Sequence, residues 1–375
     1  MARRLYFVAG EASGDEHGAA LMRSLRELAP DCEFHGRGGP RMKAVGSDPI
    51  TDWSDAAAVV GLWEVVKRYG YFRAQFSATL DEIAAAEPDS VVLIDYPGFN
   101  LRLARTLRQR SPAVKIIYYI SPQVWAWHRG RIAQMARYLD LMLCIFPFEA
   151  ALYNASGLPT IFVGHPMIEN LAKRRTGEAR DPNLIGLFPG SRSREVKKIL
   201  PVLLESARKI LARRPGTRFE IAAASDALAG EIERIRRRFP FADRVRVVTG
   251  DSSGTMQRAF AGMVASGTAT LEAAYFRMPF VLVYKISWPT YFAARLMMRT
   301  RFLGMPNVLA DREIVPEFLQ HEARPRAIAD ALLHLMDDST RRQEMVAEFD
   351  AVIAKLGETG ASEKAARAIL DELGR

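Results

Sequence analysis

The sequence has few cysteines and no long apolar run. Its 375 residues include two cysteines, which excludes a disulfide-stapled scaffold and a site with paired cysteine ligands. No window reaches the roughly 18 uncharged apolar residues that a membrane-spanning helix needs. The first apolar stretch, residues 5–9, is far shorter than the core of a secretory signal. We therefore expect a cytoplasmic protein that does not cross a membrane.

The usual metal and nucleotide signatures are also missing. There is no His-Glu-x-x-His motif, no Asp-x-Asp motif at a predicted strand end, no P-loop, and no Gly-x-Gly-x-x-Gly after the first strand. We therefore expect neither a metal ion nor a cofactor, and assign the chemistry to side chains and helix ends.

Positive charge is in excess. Lys and Arg number 52 against 43 Asp and Glu, giving a net charge of +9 and a pI of about 9.6. Such a surface attracts nucleic acid, anionic lipid or phosphorylated substrates, and charge alone does not choose among them. The basic runs at 173–175 and 234–238 accompany no nucleic-acid motif, so we interpret them as solvated helix faces and expect no nucleic-acid partner.

Short apolar runs alternate with segments of helical length along most of the chain. Unbroken apolar runs are typical of parallel strands covered on both faces, and the alternation predicts an α/β protein with two doubly wound, Rossmann-like sheets. Residues from 313 onward are predicted to be helical, and the polar segment 173–183 is predicted to be a linker. The predicted strands include 5–9, 91–94, 114–120, 141–146, 184–188, 218–223, 245–248, 263–265 and 280–284.

Two domains follow from this pattern. We predict an N-terminal domain over 1–165, a C-terminal domain over 166–356, and a hinge near 164–166. The helix over 357–375 is expected to pack back on the first domain or on a second copy of the chain, as in a homodimer. Two such lobes facing a central cleft would bind ligands at the carboxyl ends of their strands.

In the first domain, the loop after the first strand is rich in glycine. Glycines at 10, 14 and 18 permit a tight turn before a helix N-terminus that favours an anion, although a merely loosened turn would look the same. The candidate residues here, for acceptor positioning or proton handling, are Glu11, Ser13, Gly14 and His17.

Asp95 directly follows the buried run 91–94. A lone carboxylate at a strand end suits a general base acting on a bound hydroxyl. The alternative is that Asp95 caps the helix that begins near Gly98.

Two turns in the second domain have the composition of phosphate-binding loops. Gly190, Ser191 and Arg192 could hold a diphosphate, or could simply start a capped helix with solvated arginines. A second turn follows the run 263–265, and its Glu272 could bind ribose hydroxyls, with helix capping by Thr268 as the alternative. The hydroxyl and glycine residues of this turn are Ser266, Gly267, Thr268 and Thr270.

Eight segments, in order along the chain, resemble the lipid-A-disaccharide synthase family. Together they extend from residue 9 to residue 307, which covers most of the chain. They are AGEASGD (9–15), IDYPGFN (94–100), SPQVWAW (121–127), FPFE (146–149), VGHP (163–166), PGSR (189–192), ASGTATLE (265–272) and MPN (305–307).

The resemblance implies a glycosyltransferase of GT-B architecture. Its reaction would join UDP-2,3-diacylglucosamine to 2,3-diacylglucosamine 1-phosphate, giving the β(1→6) lipid A disaccharide 1-phosphate and UDP with inversion. By likeness, Asp95 is the catalytic carboxylate, Asn100 belongs to the acceptor loop, and Arg192, Glu272 and Asn307 belong to the nucleotide-sugar site. The alternatives are a UDP-N-acetylglucosamine 2-epimerase or another UDP-sugar enzyme of this architecture.

Lipid substrates require contact with a bilayer. The segments 61–73 and 287–299 mix aromatic with basic residues, which is typical of helices at a membrane interface, although such helices more often pack on their own sheet. We expect peripheral association with the inner face of the bacterial inner membrane through anionic lipid. The predicted contact residues are Trp63, Val66, Phe72, Trp288 and Phe292.

Overall fold

The computed structural model describes residues 3–46, 50–53, 69–127, 129–286 and 300–374. The chain folds as two compact units. The first comprises Met1–Pro166 together with Leu356–Arg375, and the second comprises Met167–Lys355. The chain therefore leaves the first unit and later returns to it.

The sheet of the first unit has seven parallel strands in its described residues. These are β1 (Arg4–Ala9), β2 (Glu33–Gly38), β3 (Ile50–Asp52), β4 (Ser90–Ile94), β5 (Lys115–Tyr119), β6 (Leu141–Cys144) and β7 (Thr160–Phe162). Their spatial order is β3-β2-β1-β4-β5-β6-β7. The chain builds outward from β1 in one direction and then resumes on its other side with β4, so the topological switch point lies between β1 and β4.

The strand β4 shows why the apolar runs form this sheet. All of its side chains are buried, which an unbroken apolar run requires when helices cover both faces. The helix after β1 begins at Ala12, and Glu11 adopts an extended conformation at its N-cap. The helices of this unit before the second unit are α1 (Ala12–Leu28), α2 (Pro40–Val45), α3 (Tyr69–Ala86), α4 (Pro97–Arg110), α5 (Val124–Trp127), α6 (Ile132–Met135) and α7 (Pro147–Asn154).

The second unit is built on a parallel sheet of six strands in its described residues. These are β8 (Asp181–Phe188), β9 (Arg218–Ala223), β10 (Val245–Thr249), β11 (Ala259–Ala265), β12 (Phe280–Tyr284) and β13 (Glu317–Leu319). The order is β10-β9-β8-β11-β12-β13, so the switch point lies between β8 and β11.

Helices flank the strands of the second unit. They are α8 (Met167–Ala172), α9 (Ser193–Arg213), α10 (Asp226–Arg236), α11 (Ser252–Arg258), α12 (Ala269–Tyr275), α13 (Met305–Ala310), α14 (Pro325–Asp337) and α15 (Ser339–Lys355). The following helix, α16 (Ala361–Leu373), belongs to the first unit and packs against α1. Lys115 at the start of β5 holds α16 through an ion pair with Glu372 at 2.7 Å.

The predicted strands at 91–94, 218–223 and 280–284 are confirmed, and the helical assignment of everything after residue 313 is wrong. Residues 317–319 form β13, which pairs in parallel with β12 at the sheet edge. A strand of three residues is too short to show a period of two in the sequence.

The linker predicted over 173–183 is also wrong. The backbone N–H of Thr176 donates to Gln257 Oε1 at 2.8 Å, and the Arg180 guanidinium donates to the Met256 carbonyl at 2.8 Å. Asp181 already begins β8. The segment is therefore hydrogen-bonded to the second unit, to which it belongs.

Within the described ranges, no helix is both long enough and apolar enough to cross a bilayer.

Candidate active site

A cavity of about 570 Å³ opens at the carboxyl ends of β8 and β11, the switch point of the second sheet. We call it the β8–β11 cavity. Both predicted phosphate-type turns contribute to it, because adjacent parallel strands end at the same edge. The predicted residues that line it are Gly190, Ser191, Arg192, Ser266, Gly267, Thr268 and Glu272.

The turn after β8 requires a glycine at position 190 and is stabilised by the carboxylate of Glu195. Gly190 has φ +110°, and a Cβ at this position would lie 2.4 Å from Glu195 Oε2. That oxygen accepts a hydrogen bond from the Ser191 backbone N–H at 3.1 Å. Glu195 on the first turn of α9 therefore fixes the loop conformation.

Arg192 occupies the N-cap position of α9, and its side chain is 60% exposed. The guanidinium Nη1 lies 3.5 Å from Glu195 Oε1, a long contact at the limit of a hydrogen bond. Since a guanidinium has five N–H donors, several stay available to a ligand in the cavity. The N-terminus of α9 adds positive electrostatic potential at the same place.

The opposite wall of the cavity comes from the start of α12. Thr268 is its N-cap residue, and its side chain makes no capping hydrogen bond, so the capping alternative is wrong. Glu272 lies one turn along and lines the cavity. Burial raises the pKa of its carboxyl, opposed by the positive charge of Arg174.

Sequence reasoning missed part of this cavity. Glu195, the alanines at the end of β9, and two residues after β10 also line it. Their position at predicted strand ends could have indicated a place in the cavity. Small side chains, however, have no functional group from which a binding role can be predicted. The missed small residues are Ala222, Ala223, Ala224, Gly250 and Ser252.

A second cavity, of about 210 Å³, lies at the switch point of the first sheet, at the ends of β1 and β4. We call it the Asp95 cavity. It brings together Glu11 at the N-cap of α1 and Gly14 in its first turn with Asp95, which follows β4. A Cβ on Gly10 would lie 2.4 Å from the Tyr96 ring, so glycine is required for the two loops to approach.

The backbone of Asp95 is held in an uncommon conformation. Asp95 and Tyr96 have φ values of +45° and +50°, in the left-handed region that costs non-glycine residues free energy. The carbonyl of Asp95 accepts hydrogen bonds from Asn100 Nδ2 at 2.8 Å and from the Tyr118 hydroxyl at 2.5 Å. Tyr96 occupies the N-cap of α4, so the alternative that Asp95 caps this helix is wrong.

The electrostatics of Asp95 suit proton transfer near neutral pH. Burial, and then the negative charge of Glu11, raise the pKa of Asp95 to about 6, while a hydrogen bond from the Tyr96 backbone opposes the rise. A carboxyl with this pKa is ionised at pH 8 and is more basic than a solvated one.

Ser13 and His17 lie on α1, and neither lines the Asp95 cavity. Ser13 is exposed. Burial lowers the pKa of His17, opposed by the charge of Glu16.

Three further predicted residues lie outside both cavities because their side chains hold the fold. Asn100 is fully buried and donates to carbonyls, including that of Asp95. The Thr270 hydroxyl donates to the Gly267 carbonyl at 2.8 Å. Asn307 is buried, with its oxygen accepting from the backbone N–H groups of residues 314 and 315 and its amide donating to the 315 carbonyl and the carboxylate at 317. The hydrogen bonds of these three side chains are to nearby backbone and to Glu317, and Asn100 Oδ1 is buried with no hydrogen-bond partner among the described residues.

Of the predicted membrane residues, Phe72 lies on α3, half-buried, with its ring against that of Tyr71. Trp63, Val66, Trp288 and Phe292 lie outside the described residues. In the part of the chain that is described, no three His, Cys, Asp or Glu residues are grouped so that they could hold a metal ion.

Solved structures share the architecture of the whole chain. S. aureus MnaA in its UDP complex superposes with a TM-score of 0.66 at 11% identity, over 99% of this chain and 97% of that one. A putative UDP-N-acetylglucosamine 2-epimerase from Listeria monocytogenes gives 0.62 at 12% identity, over 99% and 95%. The calicheamicin glycosyltransferase CalG4 gives 0.60 at 15% identity, over 100% and 99%. These likenesses show the fold, which is of the GT-B type.

Sequence comparison is more specific. A family model for lipid-A-disaccharide synthetase matches residues 5–370. The lipid-A-disaccharide synthase of Saccharophagus degradans is 38% identical over 381 residues, covering 99% of this chain and 97% of that protein. That of Chromohalobacter salexigens is 40% identical over 375 residues, covering 98% and 96%.

The epimerase alternative is not favoured, because the epimerase likeness is confined to the fold while the extended sequence identity is to synthases. With the family model spanning nearly the whole chain, this protein belongs to the lipid-A-disaccharide synthase family, the glycosyltransferases that form the lipid A disaccharide.

Proposed function

We propose that the enzyme transfers a diacylglucosamine unit from UDP-2,3-diacylglucosamine to the 6-hydroxyl of 2,3-diacylglucosamine 1-phosphate, with inversion at the transferred C1. The observation that carries this proposal is the Asp95 cavity, where a carboxyl with a pKa of about 6 lies at the switch point of the first sheet. A single in-line displacement needs one base and one stabilised leaving group.

The donor diphosphate is assigned to the β8–β11 cavity. Backbone N–H groups at the starts of two helices and the Arg192 guanidinium offer hydrogen bonds to an anion there. MnaA, which shares the fold, was solved with UDP, and this supports a uridine nucleotide as the ligand. Glu272 lines the same cavity and is assigned to the ribose hydroxyls.

The chemical step balances without a further reagent. The Asp95 carboxylate takes the proton of the acceptor O6–H, and O6 forms a bond to C1 of the donor. The bond from C1 to the diphosphate oxygen breaks with its electron pair, and UDP leaves with negative charge that Arg192 and the helix ends stabilise. An α-linked donor thereby gives a β-linked product. Glu11, which lines the same cavity, is the second candidate for the proton.

The proposal is tested by product analysis with both lipids in neutral detergent micelles. We expect UDP release to require the acceptor and to match formation of a β(1→6) disaccharide 1-phosphate one for one. UDP release or sugar isomerisation without acceptor would contradict it. An α-linked product would contradict only the single inverting displacement and would leave the proposed substrates unchanged.

We further propose peripheral contact with anionic membrane through the segments 61–73 and 287–299, supported by the net charge of +9 and the proposed lipid substrates. Replacing Trp63, Val66 and Phe72 by Ser is expected to reduce binding to phosphatidylglycerol vesicles by roughly 10-fold or more, since apolar side chains are lost from the interface. The control is Ile161→Ser, which changes an exposed apolar residue of β7. Vesicle binding equal to that of the control would remove this surface from the proposal.

A further inference from the structure

A third cavity, of about 340 Å³, lies in the first unit beside the first two turns of α4. Three arginines line it: Arg102 and Arg105 on successive turns of α4, and Arg131 just before α6. We call it the arginine cavity. None of its arginines was singled out by sequence motifs.

These three guanidinium groups have no acidic partner within the described ranges of the chain. No ion pair or side-chain hydrogen bond joins any of them to another of the described residues, and the first turn of α4 carries no acid. Arg108 on the same helix behaves differently, since it donates to the Pro112 carbonyl at 2.8 Å and pairs with Asp140. Like charges that line one cavity repel each other, and a bound anion relieves that repulsion.

Apart from the arginines and the amide side chain of Gln134, the lining of the cavity is apolar or aromatic. Leu101, Met135 and the ring of Tyr138 line it, and Met135 is buried in the core of this unit. A cavity lined by three arginines together with aliphatic and aromatic side chains suits an amphiphile with an anionic head. Arginine forks match the oxygens of a phosphate group through paired hydrogen bonds.

The arginine cavity adjoins the Asp95 cavity. Pro97 lines both, because it begins α4 directly after the Asp95–Tyr96 turn. A ligand whose reacting hydroxyl lies at Asp95 can therefore extend past Pro97 and present a second group to the arginines. One molecule that carries both a hydroxyl and a phosphate fits this pair of sites.

We infer that the arginine cavity binds the phosphate group of the acylated sugar phosphate that accepts the transferred unit. The inference rests on the proposed function and adds a residue set to it. Arg102, Arg105 and Arg131 hold the phosphate, and the apolar wall contacts the adjoining acyl region. They are binding residues and take no part in bond breaking.

The test compares two acceptors with the Arg102→Ala/Arg105→Ala double variant in neutral detergent micelles. We expect the KM for diacylglucosamine 1-phosphate to rise about 10-fold or more, the range for hydrogen bonds to charged groups. We expect kcat and the KM of the donor to stay close to the wild-type values. The second acceptor is diacylglucosamine, which lacks the phosphate, and its kcat and KM should also be unchanged. Arg110→Ala is the control, and Arg102→Ala and Arg105→Ala are also measured singly against it, since each removes one positive charge from the same helix and Arg110 lies outside the cavity lining.

Equal losses on both acceptors, or no loss on either, would overturn the inference. A loss that appears only when phosphatidylglycerol is added, regardless of the acceptor phosphate, would assign the arginines to bilayer headgroups and would also overturn it. Acceptor binding without donor, followed by ³¹P NMR, separates this inference from the proposed function. If the wild-type protein binds the lipid phosphate through these arginines but forms no disaccharide, the proposed reaction is refuted. The proposed phosphate site then still stands.

Discussion

The Asp95→Asn variant is expected to lose about 10²- to 10⁴-fold in kcat at pH 8, the range that general base catalysis contributes. Asparagine keeps the size of the side chain and an oxygen that can accept from the Tyr96 backbone, so the loop conformation should survive. It cannot take a proton from the acceptor hydroxyl. Disaccharide formation under saturating substrates measures the effect, and a near-normal rate would place the base elsewhere, with Glu11→Gln as the next variant.

The pH dependence of the wild-type enzyme gives an independent measure of the same group. Burial and Glu11 raise the pKa of Asp95 to about 6, and the base acts only when ionised. The rate should therefore be full above pH 7 and fall about 10-fold per pH unit below 6. A solvated carboxylate would hold its activity to pH 4 or 5, so a rate that is level down to pH 5 would contradict this assignment.

Stability should move in the opposite direction to activity. A carboxyl whose pKa is higher in the folded than in the unfolded protein destabilises the fold at pH values above both, and this cost disappears as the pH falls. Asp95→Asn removes the charge, so its Tm at pH 8 should equal or exceed that of the wild type. A large fall in Tm would instead show that the loss of activity follows from misfolding.

Arg192→Ala is expected to lower kcat by about 10²- to 10³-fold, comparable to the removal of a donor that stabilises developing negative charge. Its guanidinium lines the β8–β11 cavity, with several donors left over by the long contact to Glu195. The contact between Arg192 and Glu195 is largely exposed on the arginine side, so the free energy of unfolding should change little. Steady-state kinetics with both lipids, with UDP as a competitive inhibitor, measures the change.

The matched control is Arg194→Ala, two residues further along and outside the lining of the cavity. It removes the same charge from the same end of α9. If both variants lose activity equally, the effect comes from the general basic potential, and Arg192 holds no particular phosphate oxygen.

The loops at strand ends could be predicted from the sequence because chemistry and position coincide there. Asp95 directly follows the apolar run 91–94 and Arg192 lies four residues after the run 184–188, and both runs are typical of central parallel strands. The partners that set their geometry could not be predicted. Glu195 is one acid among many until the structure shows Gly190 leaving room for its carboxylate.

The buried amides show the limit of motif reasoning. Asn100 and Asn307 occur in family motifs, and a motif does not distinguish a residue that binds the ligand from one that holds the loop that does. Asn307 uses its donors and acceptors on the backbone at 314 and 315 and on Glu317. The arginine cavity could not be predicted from the sequence, because Arg102 and Arg131 are far apart in the chain and belong to no motif.

The return of the chain to its first unit affects how the protein can be made. His165 donates its backbone N–H to the Leu356 carbonyl at 2.9 Å, so the outgoing and returning segments leave that unit side by side. A ribosome releases the 189 residues between Met167 and Lys355 before it releases α16, which packs against α1. The second unit can therefore finish folding while the first unit still exposes the surface of α1 that α16 later covers. The Asp95 cavity belongs to the first unit, which is the last to complete its fold.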